Sequence, residues 1–391
     1  MRSIFFIAVL ALSASANAQF QIQDSHTTAS LRGIHSLGDG VAWASGTEGT
    51  ILRTIDDGAT WQHCSIPSGA EKLDFRGVQA FDPDTAIAMS SGKGDLSRLY
   101  KTTDGCKTWK LVFTNPDKDG FWDSIDLSSN GAYWSKDSRY VAGVVLGDPV
   151  NGFFSIFATQ DGGETWHRRV ISKTRTKDFD CKTDPFPSQE NESAFAASNQ
   201  SLLYYNYYSF LFVTGGSHAR LGYLDHFDLD FSFCHDYAKF IELPLAQGSD
   251  AAGAFAVATK QFPISSPFQL MIVGGNYKRP DDPNGTAVFL SYRDGFKLPL
   301  TPDFDVVKPQ TPPHGYRSSV AYDASTKTWI TVGPNGTDIS RDDGKNWQAL
   351  KPSPTDAPDA DKNWNALSLP FVVGPKGRIG KLRPDALKPT K

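Results

Sequence analysis

Seven short segments of this 391-residue chain look alike, and five of them carry a charge at the same place. They read LRGIH, FRGVQ, FWDSI, ESAFA, AGAFA, YRSSV and WNALS, and they set Arg32, Arg76, Asp123, Glu192, Ala252, Arg317 and Asn365 at the openings of strand-like runs. An arginine guanidinium grips carboxylates and phosphates through two parallel hydrogen bonds. Brought to one mouth, Arg32, Arg76 and Arg317 beside Asp123 and Glu192 would make a site for an anionic, mixed-charge or saccharide ligand. The same charges can instead pair with one another and fill a solvated channel. Register decides which, because a slip of one residue turns a strand side chain to the opposite face. No HExxH, zinc-spaced Cys/His cluster, G-x-S-x-G elbow or phosphate-binding loop occurs, so neither a metal nor a cofactor is called for.

Positioning such residues takes seven repeated units, and a second marker counts seven. Gly-rich hairpins recur at Gly46, Gly92, Gly147, Gly215, Gly274, Gly333 and Gly374, about one every 55 residues, near the long end of propeller periods. An apolar run of strand length precedes most of them, such as Val41–Ala44, Ala86–Met89, Leu270–Val273 and Trp329–Val332. Three hairpins are long and bring Asp95, Arg98, Asp148, Asn151, Tyr277 and Lys278 to the same rim as the strand openings. Long loops on one rim commonly form the binding surface of a repeat protein, although turn-favouring residues in solvated hairpins look the same.

A third marker is sharper. The pattern Ser/Thr-x-Asp-x-Gly-x-Thr-Trp occurs as TIDDGATW (Asp56, Gly58, Trp61), TTDGCKTW (Asp104, Trp109), TQDGGETW (Asp161, Gly163, Trp166) and SRDDGKNW (Asp342, Gly344, Trp347). Each reads as a hairpin turn. The Asp folds back onto backbone N–H groups, the Gly takes a positive φ, and the Trp buries a large ring as the next strand opens.

These turns resemble the Asp-box, or BNR repeat, of the Asp-box β-propellers, a group that includes sialidases. In that family the box joins the third and fourth strands of a blade and is structural, on the face opposite the usual binding site. The phrases LRGIHSLGDGVAWASGTEGTILRT and GYRSSVAY…VGPNG are similar to the exported seven-bladed propellers related to the photosystem II stability and assembly factor, a likeness over most of residues 30–383. The resemblance implies an all-β, seven-bladed propeller of four-stranded antiparallel blades that binds a protein partner without catalysis. The sialidase side implies an alternative, a glycoside hydrolase with an Arg triad, a Tyr nucleophile, a Glu partner and an Asp acid/base. Against it, the Arg-Ile-Pro that precedes the first sialidase box is replaced by LRGI and FRGV, and no Tyr can be placed beside Glu192. Binding is therefore expected over turnover.

The remaining expectations concern the chain's address and its ends. Arg2, the apolar run Ile4–Leu12 and Ala16-Asn17-Ala18 follow the grammar of a secretory leader cleaved after Ala18, and no segment reads as a membrane span. A formal net charge of −4 argues against nucleic acid as a partner. A monomer is expected. Residues 19–383 read as one propeller, with 384–391 a disordered, Pro/Lys-rich tail. The last blade lacks a fourth strand of its own, and Phe20–Gln23 is placed there to cover the open edge. Four cysteines, Cys64, Cys106, Cys181 and Cys234, allow three pairings. Proximity in sequence favours Cys64 with Cys106 and Cys181 with Cys234.

Overall fold

The structure, a computed structural model, describes residues 19–127, 141–168, 186–206, 209–226, 236–260, 269–292, 304–352 and 356–388. Seven antiparallel sheets form the blades of a ring, and a single 3-10 turn at Gly94–Leu96 is the only helix among the described residues. Blade one runs Leu31–Gly38, Val41–Gly46, Ile51–Thr54 and Gln62–His63 from the axis outwards, and the other blades follow this four-strand layout, with an outer strand from the N-terminus in blade seven and two added strands in the sheet of blade five. Because the strands alternate in direction, the openings of the inner strands and the second hairpins share one rim. The four repeated turns lie on the other.

Those turns owe their shape to one carboxylate each. In the third, Asp161 accepts from Thr165 N at 3.0 Å and from Thr165 Oγ1 at 2.6 Å, while Thr159 Oγ1 accepts from Gly163 N at 3.0 Å. Gly163 has φ 83°, and an added Cβ would meet Ile87 of the preceding blade at 2.2 Å. Glycine is needed there for both reasons. The tryptophans pack backwards around the ring in the same sense: Trp61 against Phe371, Trp109 against Trp43, and Trp166 into the cluster of Ile87 and Leu99. Each turn therefore joins its blade to the one before.

In the second turn Cys106 holds the glycine position, at φ 64°, and forms a disulfide with Cys64 of the preceding blade. A covalent bond stands where the other turns make a close approach. Cys181 and Cys234 fall outside the described residues, as do the secretory leader and the fifth-blade turn from residue 293 onward.

Ring closure follows the expected route. Phe20–Gln23 pairs antiparallel with Ile379–Leu382 as the outer strand of blade seven, and Gln23 accepts from the Trp61 indole at 2.9 Å. The beginning of the expected tail is docked: Leu387 is buried beside Phe20 and Trp364, and Arg341 donates to its carbonyl. Blade four departs most from the repeat. Its inner strand is Leu202–Asn206, and Glu192–Ser193 pairs instead with Gly215–Gly216, extending the sheet of blade five to six strands.

Candidate functional site at the channel mouth

Four inner strands share a backbone device that aims a residue into the channel. The register breaks between Leu31 and Gly33, Phe75 and Gly77, Trp122 and Ser124, and Ala254 and Ala256. The skipped residues are Arg32, Arg76, Asp123 and Phe255. A bulge adds one residue to a strand and re-aims its side chain. It thus turns Arg32, Arg76 and Asp123 out of the ladder, Arg76 and Asp123 into the wall of one cavity and Arg32 against Asp74.

Three expectations change, Arg317 and Ala252 for a reason of register and Glu192 because blade four is irregular. Arg317 N–H reaches back to Gly274 O at 2.8 Å as Leu31 N–H reaches Gly374 O, so Arg317 takes the place of Leu31, and Ser318 that of Arg32. Its guanidinium is fully buried and bound to Asp338, with Nη1 donating to Tyr316 O at 2.7 Å. Glu192 opens no inner strand. It accepts from Arg220 Nε at 2.8 Å and from Thr214 Oγ1 at 2.5 Å, both partners buried. In blade five the channel-facing residue is Phe255, not Ala252. Asn365 keeps its expected place and donates to Leu31 O at 2.7 Å.

The mouth is consequently not the arginine-rich ring read from the sequence. Arg32 and Arg76 both converge on Asp74, at 3.4 and 2.8 Å. Asp123 faces Asp148, and Asp250 at the rim pairs with Lys278 at 2.9 Å. Four carboxylates thus stand against three cations. Burial, reinforced by Asp148, pushes the Asp123 carboxyl well above the ordinary carboxylate range, and burial lifts Asp148 to about 6. A cavity of about 360 Å³ opens here, walled by Arg76, Phe121, Asp123, Asp148, Ser193 and Phe195. Phe195 stacks on Phe255 at 4.0 Å between ring centres, and Tyr316 and Tyr277 continue the aromatic cluster towards solvent.

The floor of this cavity is a segment with no counterpart in the other blades. Residues 194–201 cross the channel and bond to five blades. Ala196 O accepts from Arg76 at 3.3 Å, Ser198 Oγ donates to Ser318 O at 2.6 Å, and Asn199 binds Ile125. Gln200 O accepts from Val257 N at 2.9 Å, while its side chain accepts from Val320 N at 3.0 Å and donates to Leu367 O at 3.1 Å. Beneath the plug lies a separate cavity of about 300 Å³ lined by His35, Gln79, Asp126 and Tyr204. Burial lowers His35 to about 4 and raises Asp126 to about 7. Asp74 and Phe121 were legible beside the FRGV and FWDS openings, but nothing local marks Asn199 and Gln200 as a plug.

Among the described residues no cluster could hold a metal ion, and no helix is long and apolar enough to cross a membrane. No family model matches the chain. Over 173 residues it is 28% identical to the photosystem II assembly lipoprotein Ycf48 of Picosynechococcus sp. (strain ATCC 27264 / PCC 7002 / PR-6), covering 34% of this chain and 46% of that protein. The chain is similar in sequence to Ycf48. The match spans less than half the length of that curated relative. Among solved structures, a YCF48 bound to a D1 peptide superposes with a TM-score of 0.57 at 14% identity, over 95% of this chain and 99% of that one. YCF48 from Cyanidioschyzon merolae superposes with a TM-score of 0.51 at 18% identity, over 94% and 100%. At these identities the structures establish the shared propeller fold.

Proposed function

We propose that this chain is a non-catalytic propeller, acting after export, that holds a segment of another protein at the channel mouth and assists its assembly or stability. The similarity to Ycf48, an assembly lipoprotein, carries the reading. The geometry supports it: a walled, part-aromatic cavity lies on the rim that bears the long hairpins, and a YCF48 of the same fold binds a D1 peptide. The four repeated turns act as Asp boxes, scaffolding on the opposite rim. A sialidase-like hydrolase has no support at the mouth, because Arg317 and Glu192, two members of the required constellation, are committed to separate buried pairs.

Site-specific photo-cross-linking tests this. A cross-linking amino acid in place of exposed Tyr277 at the mouth should capture a partner from the exported fraction, and one in place of exposed Ile55 on the opposite rim should not. Equal capture at both positions, or none at Tyr277, would overturn the assignment.

A further inference from the structure

Resting on that reading, we propose that the mouth cavity receives a basic side chain of the bound segment, with the Asp123–Asp148 pair as its acceptor. The first observation is an orphan. Asp123 is 2% exposed and walls the cavity, yet its Oδ2 has no hydrogen-bond partner. Buried polar atoms are nearly always satisfied, so an orphan on a residue that walls a cavity leaves a place for a donor. Asp148 is partly satisfied, since its Oδ1 accepts from Ala194 N at 3.1 Å.

The second observation concerns charge. Arg76 is the only cation lining the cavity among the described residues, and it is already engaged: its Nε donates to Asp74 at 2.8 Å and its Nη1 to Ala196 O at 3.3 Å. Arg76 acts on Asp123 only at a distance while bonded to Asp74 and Ala196, so among the described residues Asp123 and Asp148 have no cation bound to them. Burial first, and the neighbouring Asp148 second, disfavour the ionised Asp123 and raise its carboxyl. An incoming ammonium or guanidinium removes that penalty and satisfies Oδ2 together.

The third observation is shape. Phe121 and Phe195 are half-buried walls of the same cavity and offer apolar faces to the methylene stem of a lysine or arginine, which buries readily while its charged head is bound. Aromatic faces also attract the cation itself. An acidic ligand would gain only the already shared Arg32 and Arg76, and would meet Asp123 and Asp148 as like charges.

The test uses the purified full chain and matched peptides, acetyl-Gly-Gly-X-Gly-Gly-amide with X as lysine, norleucine or glutamate, titrated by NMR. The lysine peptide should bind at least about tenfold more tightly than the norleucine peptide, as expected of a desolvated charge-assisted contact. Asp123→Asn and Asp148→Asn should each erase that preference, whereas Asp39→Asn, at an exposed turn remote from the mouth, should keep it. Melting curves run beside the titrations should show Asp123→Asn no less stable than the parent, so that loss of binding is not loss of fold. The proposal is overturned if the lysine and norleucine peptides bind alike, if the glutamate peptide binds best, if no peptide binds, or if the lysine preference survives in Asp123→Asn. A mouth-specific cross-link through Tyr277 without a lysine preference would sink this inference alone. Absence of that cross-link would sink the partner-binding reading itself.

Discussion

Asn199 and Ile125 exchange two hydrogen bonds across the channel: the carboxamide accepts from Ile125 N at 2.9 Å and donates to Ile125 O at 3.0 Å. One side chain thus does for the innermost strand of blade three what a neighbouring strand would do. Replacing Asn199 by Ala leaves the buried Ile125 N–H without a partner and its C=O with only Gln79 Nε2 at 3.3 Å, at about 1–3 kcal/mol for the orphaned group. Denaturant unfolding of Asn199→Ala should show a loss in that range. An unchanged midpoint would mean that water takes over both contacts.

The buried position of Arg317 reverses what its place in the sequence suggests. A mouth arginine could be removed with little effect on folding, but truncating one partner of a buried pair leaves the other charge under-compensated, here Asp338, which would keep only His314. Arg317→Ala should therefore cost about 3–5 kcal/mol of stability. Affinity for a mouth ligand, measured on the folded fraction, should stay the same. Normal stability with lost binding would return Arg317 to the site.

The Cys64–Cys106 bond encloses a loop of 42 residues. Its removal should cost about 3–4 kcal/mol through the freed unfolded chain. Cys106 carries a positive φ, so the double variant Cys64→Ser/Cys106→Gly should melt above Cys64→Ser/Cys106→Ala. Calorimetry of the two under identical conditions decides it. Equal melting would show that the turn carries no backbone strain.

Deleting Gln19–Ser25 removes the outer strand of blade seven, the buried Phe20 and the acceptor of the Trp61 indole. A bare strand edge then faces solvent and invites pairing with another chain. Light scattering should report oligomers and the melt should fall. A monomer with an unaltered melt would show that the ring does not rely on this strand.

Two sets of carboxylates should give opposite pH dependences. Asp126 sits in the lower cavity with Gln79, the Tyr204 N–H and a His35 that burial keeps neutral above about pH 4. Burial raises its pKa from 3.8 to about 7, so the folded state holds the proton more tightly than the unfolded chain. Its effect on stability is most favourable below about pH 4 and is lost as pH rises through about 7. Asp126→Asn should raise the melting temperature at pH 8, with the gain vanishing near pH 4. Asp56 and Asp104 behave the other way. Thr60 and Thr108 hold them down to about 2, so their contribution is present above about pH 4 and lost as pH falls through about 2. Asp56→Asn should melt lower at pH 7 and converge with the parent at about pH 2. Parallel profiles in either case would mean that the carboxyl is not what titrates.

Whatever depends on contiguous residues could be read from the chain before it folds. A turn of the Thr159–Trp166 kind carries its own acceptor, its own positive-φ residue and its own ring, and a hairpin glycine reports its blade from a few neighbours. Seven hairpins and a missing fourth strand were enough to read the ring and its closure by Phe20–Gln23, whereas the pairing of Cys64 with Cys106 was one of three that the sequence left open. Tertiary structure alone decided where the inner-strand charges point. Bulges turn Arg32, Arg76 and Asp123 out of the ladder, whereas one residue of slip buries Arg317 and an irregular blade four turns Glu192 to Arg220. The plug was invisible for a related reason. Asn199 and Gln200 meet partners 57 to 167 residues away, and no local pattern encodes a contact that exists only once the ring has closed around it.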